Sequence, residues 1–245
     1  MATHSRLERP AFYALRPGGW RDALTLLHPP YTAWHLSYVA IGATVAPHFY
    51  GYRLVWTLVA FFLGVGVAAH ALDELHGRPL GTRVSDRSLV ALAVVSLAGA
   101  AAIGVVGAVT ISMWLLAFVG AGVGLTVAYN LELFGGKMHS NGWFAFAWGA
   151  FPVLTAFWAQ AQELRVEGVL VGGACFMLSV AQRRLSTPVR ELRRRTEWVH
   201  GERRLKDGSV AEVSTRSIAV PMEGALMACA SGMVLLAAGL VIARL

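Results

Sequence analysis

Three clusters of polar residues interrupt an otherwise apolar chain, and each has residue types and spacing that could do chemistry. His70, Asp73 and Glu74 stand at i, i+3 and i+4 on one helical face, with His76 just beyond. Two carboxylates and two imidazoles there could hold a divalent metal; alternatively Asp73 and Glu74 pair with Arg78 while the histidines cap a helix end. Tyr129-Asn130-Leu131-Glu132 runs into Gly135, Gly136, Lys137 and His139, a glycine turn whose lysine suits an anionic ligand. The other reading of that turn is interfacial, with Tyr129 anchored at head-group depth and Lys137 snorkelling. The third cluster is Gln182-Arg183-Arg184, followed by a run from Pro188 to Arg195 that reads as a short basic helix. Guanidinium forks bind phosphate oxygens bidentately. Arg183 and Arg184 are the candidates for ligand contact, whereas Arg193 to Arg195 read as a solvated, lipid-facing strip. His28, His35 and His48 have no spacing that would bring them together on a single helical turn, Glu223 has no local partner, and Cys175 and Cys229 fall inside apolar runs as small packing residues.

The elements that must position these clusters are apolar. Of 245 residues, 56% are hydrophobic and 14% charged, against roughly one-quarter charged in an ordinary soluble domain. Apolar windows predict helices near 31–50, 54–72, 88–111, 113–130, 142–160, 167–182 and 218–243, most of them long enough for a hydrocarbon core of about 30 Å. The expectation is an all-α integral membrane bundle of about seven transmembrane helices. It forms a single domain over 31–245, with a basic cytoplasmic loop at 183–217 and a leader at 1–30. The leader is broken by Pro10, Pro17, Gly18, Gly19, Pro29 and Pro30, so it reads as an amphipathic surface segment in place of a signal peptide. Of the 21 Lys and Arg residues, all but Arg53, Arg165 and Arg244 fall on one side of the seven-span arrangement. Cytoplasmic segments carry such an excess, which places the N-terminus in the cytoplasm. The net charge of +7 is then a topology signal and an attractor of anionic lipids and diphosphates, not a sign of nucleic-acid binding.

Three stretches resemble the UbiA superfamily of intramembrane prenyltransferases. They are Leu27-His28-Pro29-Pro30 with Gly42 in the following helix; Asp73 with Arg78-Pro79-Leu80 and Arg83-Val84-Ser85; and Tyr129 through Lys137, followed by Trp148-Gly149-Ala150-Phe151-Pro152-Val153-Leu154 and Gln160. They occur in the family's order over about 130 residues, and the last is most similar to the branch that prenylates dihydroxynaphthoate in menaquinone synthesis. The resemblance implies a prenyl diphosphate held through Mg²⁺ under a cytoplasmic cap, in a prokaryotic cytoplasmic membrane. Loss of diphosphate would leave an allylic cation, captured by an aromatic or other small acceptor. Carried over, Asp73, Glu74 and His70 would hold the metal, with Asp73, Glu74 and Tyr129 as the catalytic set. Arg78, Lys137, Arg183 and Arg184 would contact the diphosphate.

The departures are specific. Where the family has an Asn-Asp pair followed by two further aspartates, this chain has Ala69, His70, Asp73 and Gly77. Its second acidic motif is replaced by Ser179, Gln182, Arg183 and Arg184, so arginine could neutralise diphosphate directly and one metal ion or none would suffice. The family commonly has nine helices, so a seven-helix bundle would be open on one side or completed by a second copy. Three readings follow: a divergent prenyltransferase; a catalytically degenerate membrane protein that binds an isoprenoid lipid or a partner; or a small transporter, for which Glu223 and the helix-end histidines would be pathway residues.

Overall fold

The computed structural model describes residues 9–245; the first eight residues of the expected leader, Arg6 among them, lie outside it. The described chain forms eight helices and one small hairpin. Helix α1 (Trp20–Leu26) belongs to the leader. It is followed by α2 (Pro29–Thr44), α3 (Gly51–Leu75), α4 (Asp86–Thr110), α5 (Leu115–Asn130), α6 (Asn141–Ala161), α7 (Val166–Arg194) and α8 (Thr215–Ile242).

Each of the seven apolar runs is helical, and local chemistry sets where the helices begin. Pro29 and Pro30 open α2, where a missing N–H costs nothing and φ is already helical. Ser85, Ser140 and Ser214 cap α4, α6 and α8 by accepting backbone N–H bonds from Ser88, Trp143 and Ser217. Five helices, α3, α4, α6, α7 and α8, are long and apolar enough to cross a membrane. The 16-residue α2 and α5 reach about 24 Å each at 1.5 Å per residue.

The centre of the bundle is α2, buried on every side. Its Trp34, Tyr38 and Val39 pack with Val153 and Ala156 of α6 and Leu226 and Ala230 of α8. Close approach depends on two glycines: a Cβ on Gly42 would overlap the backbone of Val153, and one on Gly149 would lie 2.7 Å from the Cys175 carbonyl of α7. The periphery is apolar instead of polar. Val94, Val95, Val106 and Val109 of α4 and Leu235 of α8 are all more than half exposed, a surface that water disfavours and lipid accepts.

Several expected boundaries are corrected. The helix expected to end at residue 50 stops at Thr44. The helix expected over 167–182 continues to Arg194 through Pro188, so the separate short basic helix does not exist; its arginines are the last turns of α7. The expected loop at 183–217 thus begins as helix and then forms an antiparallel pair, β1 (His200–Arg204) with β2 (Val210–Ser214). The turn is Asp207-Gly208, with Gly208 at φ 87° and the Leu205 N–H donating to the Ser209 carbonyl. This hairpin breaks the all-α expectation. Two helices also widen into π turns, at Phe62–Ala69 within α3 and Phe146–Ala150 within α6. Such bulges recur at functional sites, and both border the cavity described next.

Candidate anion-binding cavity

The C-terminal ends of α3, α5 and α7, the N-terminal ends of α2 and α6, and leader residues 10–17 enclose a cavity of about 1090 Å³. Its lining is cationic. Arg183, Arg190 and Arg194 of α7 and Arg78 beyond α3 all reach it. At 100° per residue the three α7 arginines fall within about 40° of one another, a single stripe. Arg183 is positioned by its Nε donating to Asn141 Oδ1 at 3.2 Å and by lying 5.0 Å from the Phe144 ring centre. Arg194 Nε donates to the Pro10 carbonyl at 3.1 Å, which ties the leader over the cavity.

The floor is imidazole. His28 and His70 stack with ring centres 4.0 Å apart and planes 7° apart. His70 Nδ1 donates to the Gly66 carbonyl at 3.0 Å, so in the neutral ring its Nε2 is an acceptor. His28 shares a 2.9 Å hydrogen bond between Nδ1 and the Tyr13 hydroxyl. Burial, with the Tyr31 charge next, holds the Tyr13 hydroxyl well above its usual pKa, so it remains protonated. Burial, then the neighbouring His70, Arg194 and Arg190, holds His28 well below the usual imidazole pKa, so it is neutral at pH 7. When Tyr13 donates to Nδ1, the His28 ring proton lies on Nε2, which is buried without a partner. His28 also adopts left-handed backbone angles, φ 46° and ψ 57°, a strain of about 1–3 kcal/mol that a non-glycine residue keeps only where its surroundings demand it.

Two more cavity-lining groups, the Tyr129 hydroxyl and Gln182 Oε1, are buried without partners. Three of the four such atoms among the described residues therefore belong to residues that line one cavity, a concentration of unpaired polar groups beside it. Gln182 is oriented by its Nε2 donating to His35 Nε2 at 3.5 Å, while His35 Nδ1 donates to the Trp148 carbonyl at 3.2 Å. Trp148 packs against Tyr129 at 4.9 Å and Phe144 at 5.9 Å. On its other side it lines a second cavity of about 590 Å³, an apolar groove between α3, α4, α5 and α6 that includes Gly64, Val65, Leu97, Phe118 and Phe151.

The sequence candidates separate into two groups. His70, Asp73, Arg78, Tyr129 and Arg183 all line the cavity. Glu74, Lys137 and Arg184 do not: Lys137 and Arg184 are exposed on outer surfaces. Glu74 is 1% exposed, and its carboxylate accepts bonds from Leu80 N, Thr82 N and Thr82 Oγ1 at 2.8–2.9 Å, holding the loop after α3. The expected pairing of Arg78 with Asp73 or Glu74 is absent too. Arg78 pairs with Asp86 and donates to the Val84 carbonyl at 2.6 Å. The metal set expected on His70, Asp73 and Glu74 does not assemble, and among the described residues no three His, Cys, Asp or Glu side chains converge to hold an ion.

Three features escaped sequence reasoning. Arg193 is not a lipid-facing strip residue but the buried partner of Glu223 on α8, at 2.5 and 2.9 Å. His28 and His35, which share no local spacing, meet the cavity through α3 and α7. Arg190 and Arg194 join Arg183 only because α7 is continuous; a 7- and 11-residue spacing of arginines was the available signal. No family model, curated protein or solved structure matches this chain.

Proposed function

We propose that the protein is a divergent intramembrane prenyltransferase of the UbiA kind, acting on a prenyl diphosphate in the plane of the membrane, with the arginine-lined cavity on the cytoplasmic side. One observation carries this reading: a cationic cavity and an apolar groove share Trp148 as a common wall. An amphiphile with a small, highly charged head and a long apolar tail matches both halves at once, which a soluble anion or a neutral lipid does not.

The residues present do not form a cage for Mg²⁺, so the chemistry is assigned to the chain itself. Diphosphate leaves with the electron pair of the C–O bond, its charge met by the α7 arginines. The allylic cation left behind faces Tyr129, Phe144 and Trp148, whose ring faces stabilise positive charge by about 0.5–2 kcal/mol each. The acceptor forms its new bond to that cation and loses a proton, which Asp73, the α3 carboxylate lining the cavity, takes up.

The test is to incubate purified protein with radiolabelled prenyl diphosphates and candidate phenolic acceptors, measuring retained label and released diphosphate. Release by the native protein and retention without release by Asp73→Asn is the expected result. Absence of both retention and release in the native protein would end the reading. A second reading, a non-catalytic isoprenoid binder, is favoured by the diversion of Glu74 into the loop; it predicts retention without release in the native protein as well.

A further inference from the structure

The donor set around the cavity has the wrong sign for a metal-held diphosphate. Glu74 is turned into its loop, and Glu132 stands 3.9 Å from His76 and 3.8 Å from His139. Asp73 of α3 and Glu191 of α7 also line the cavity. Against these carboxylates stand Arg183, Arg190 and Arg194 on one stripe of one helix. Each is steadied by a single hydrogen bond: Arg183 to Asn141, Arg190 Nη2 to Thr187 Oγ1 at 3.3 Å, and Arg194 to the Pro10 carbonyl. Each guanidinium therefore keeps further N–H groups for a ligand, since the fork carries five. Arg190 lies about 10 Å along the axis from Arg183 and about 6 Å from Arg194, so an anion with two linked phosphates can span from it towards either neighbour. His28 and Tyr129, whose Nε2 and hydroxyl are buried without partners, also belong to the lining.

Resting on the function proposed above, we infer that this site binds diphosphate through arginine alone and without a divalent cation, with Arg190 central and Arg183 and Arg194 on either side. A carboxylate-lined site needs a metal because the protein and its ligand otherwise repel one another. Exchanging carboxylates for guanidinium groups removes that need and makes the empty site repel a divalent cation. Bidentate Arg–phosphate bonds then supply both charge and orientation.

The experiment measures affinity of the full chain in detergent for inorganic pyrophosphate and for geranylgeranyl diphosphate, each with Mg²⁺ and with EDTA, and with inorganic phosphate as the single-phosphate control. Expected are affinities for both diphosphates that change less than about twofold on chelation, inorganic phosphate binding far more weakly, and Arg190→Gln losing roughly 10- to 100-fold in either buffer. Arg190→Lys, which keeps the charge but not the fork, should fall between. Loss of binding in EDTA overturns the metal-free site while leaving a prenyl diphosphate function intact. Binding indifferent to Arg190→Gln, or phosphate binding equal to pyrophosphate, also overturns it. No binding of either diphosphate in either buffer removes this inference and the proposed function together.

Discussion

Arg193 and Glu223 form a two-pronged ion pair across α7 and α8, with nitrogen–oxygen distances of 2.5 and 2.9 Å and side chains 4% and 11% exposed. Arg193 also donates to the Arg9 carbonyl at 3.1 Å, so one guanidinium joins two helices and the leader. Burying two charges is costly, but removing one partner is costlier because the other stays desolvated. Glu223→Ala should therefore lower stability by about 3–5 kcal/mol, read as a fall in the detergent unfolding midpoint. The paired change Arg193→Met with Glu223→Met should recover much of the loss. A midpoint unmoved by Glu223→Ala would show the pair to be incidental.

Glu74→Ala strands three buried donors, at about 1–3 kcal/mol each. Its first effect should be local: amide exchange at Leu80 and Thr82 speeds up, and the loop joining α3 to α4 loosens. Mg²⁺ added to the native protein should leave exchange at Leu80 and Thr82 unchanged. A change on adding metal to the native protein that Glu74→Ala abolishes would return Glu74 to the role that its sequence position suggested.

The apolar groove follows α3 from Val65 back to Tyr52, a length of about 20 Å at 1.5 Å per residue. An extended chain covers about 3.6 Å per three bonds, so the groove accepts roughly 16 main-chain bonds, or about four isoprene units. Affinity should rise with tail length to that point and then level off. Gly64 lines the groove with open space where its Cβ would be. Gly64→Leu should weaken binding of the four-unit diphosphate at least about tenfold, leaving pyrophosphate affinity unchanged; equal loss for both would place the tail elsewhere.

His28 supplies a pH dependence of defined sign. Burial lowers its folded pKa below the unfolded value, about 6.5, so the unfolded chain binds more protons once the pH drops beneath that value. Its effect on stability is absent above about pH 6.5 and becomes progressively destabilising below it, down towards the folded value. Thermal midpoints measured from pH 8 to pH 5 should decline at the acid end, and His28→Asn should flatten that decline. A parallel decline in the variant would assign it to other groups.

The helices were legible because apolar runs of about twenty residues have few other uses, and each of the seven predicted runs contains a helix, five of them long and apolar enough to cross a membrane. Their ends were less so. Val45 to Tyr50 are largely apolar, but Pro47 cannot continue α2, and Tyr50 N donates to Gln160 Oε1 of α6 just ahead of α3. Adjacent residues point 100° apart on a helix, so sequence could not say which of Asp73 and Glu74 faced the cavity; packing against Leu80 and Thr82 decided it. The Arg193–Glu223 pair spans 30 positions, and the His28–His70 stack joins residues on different helices. Neither leaves a local trace, because the partners meet only after the bundle has closed. The hairpin did leave one, Asp207-Gly208 between short β-compatible stretches, but it was obscured by the surrounding positive charge.

Because α7 runs unbroken from Val166 to Arg194, the angular phase of its cations is locked to that of its apolar half. The helix works as a keyed shaft. A single residue inserted near Gly173 would rotate Arg183, Arg190 and Arg194 by about 100° relative to the bundle without altering one of them, turning the stripe out of the cavity. A seven-residue insertion would restore the angle to within about 20° but push the stripe outward by about 10 Å. Sequence drift in this helix is therefore constrained in length as well as at its arginines, whereas an arginine-rich loop at the same positions would tolerate insertions.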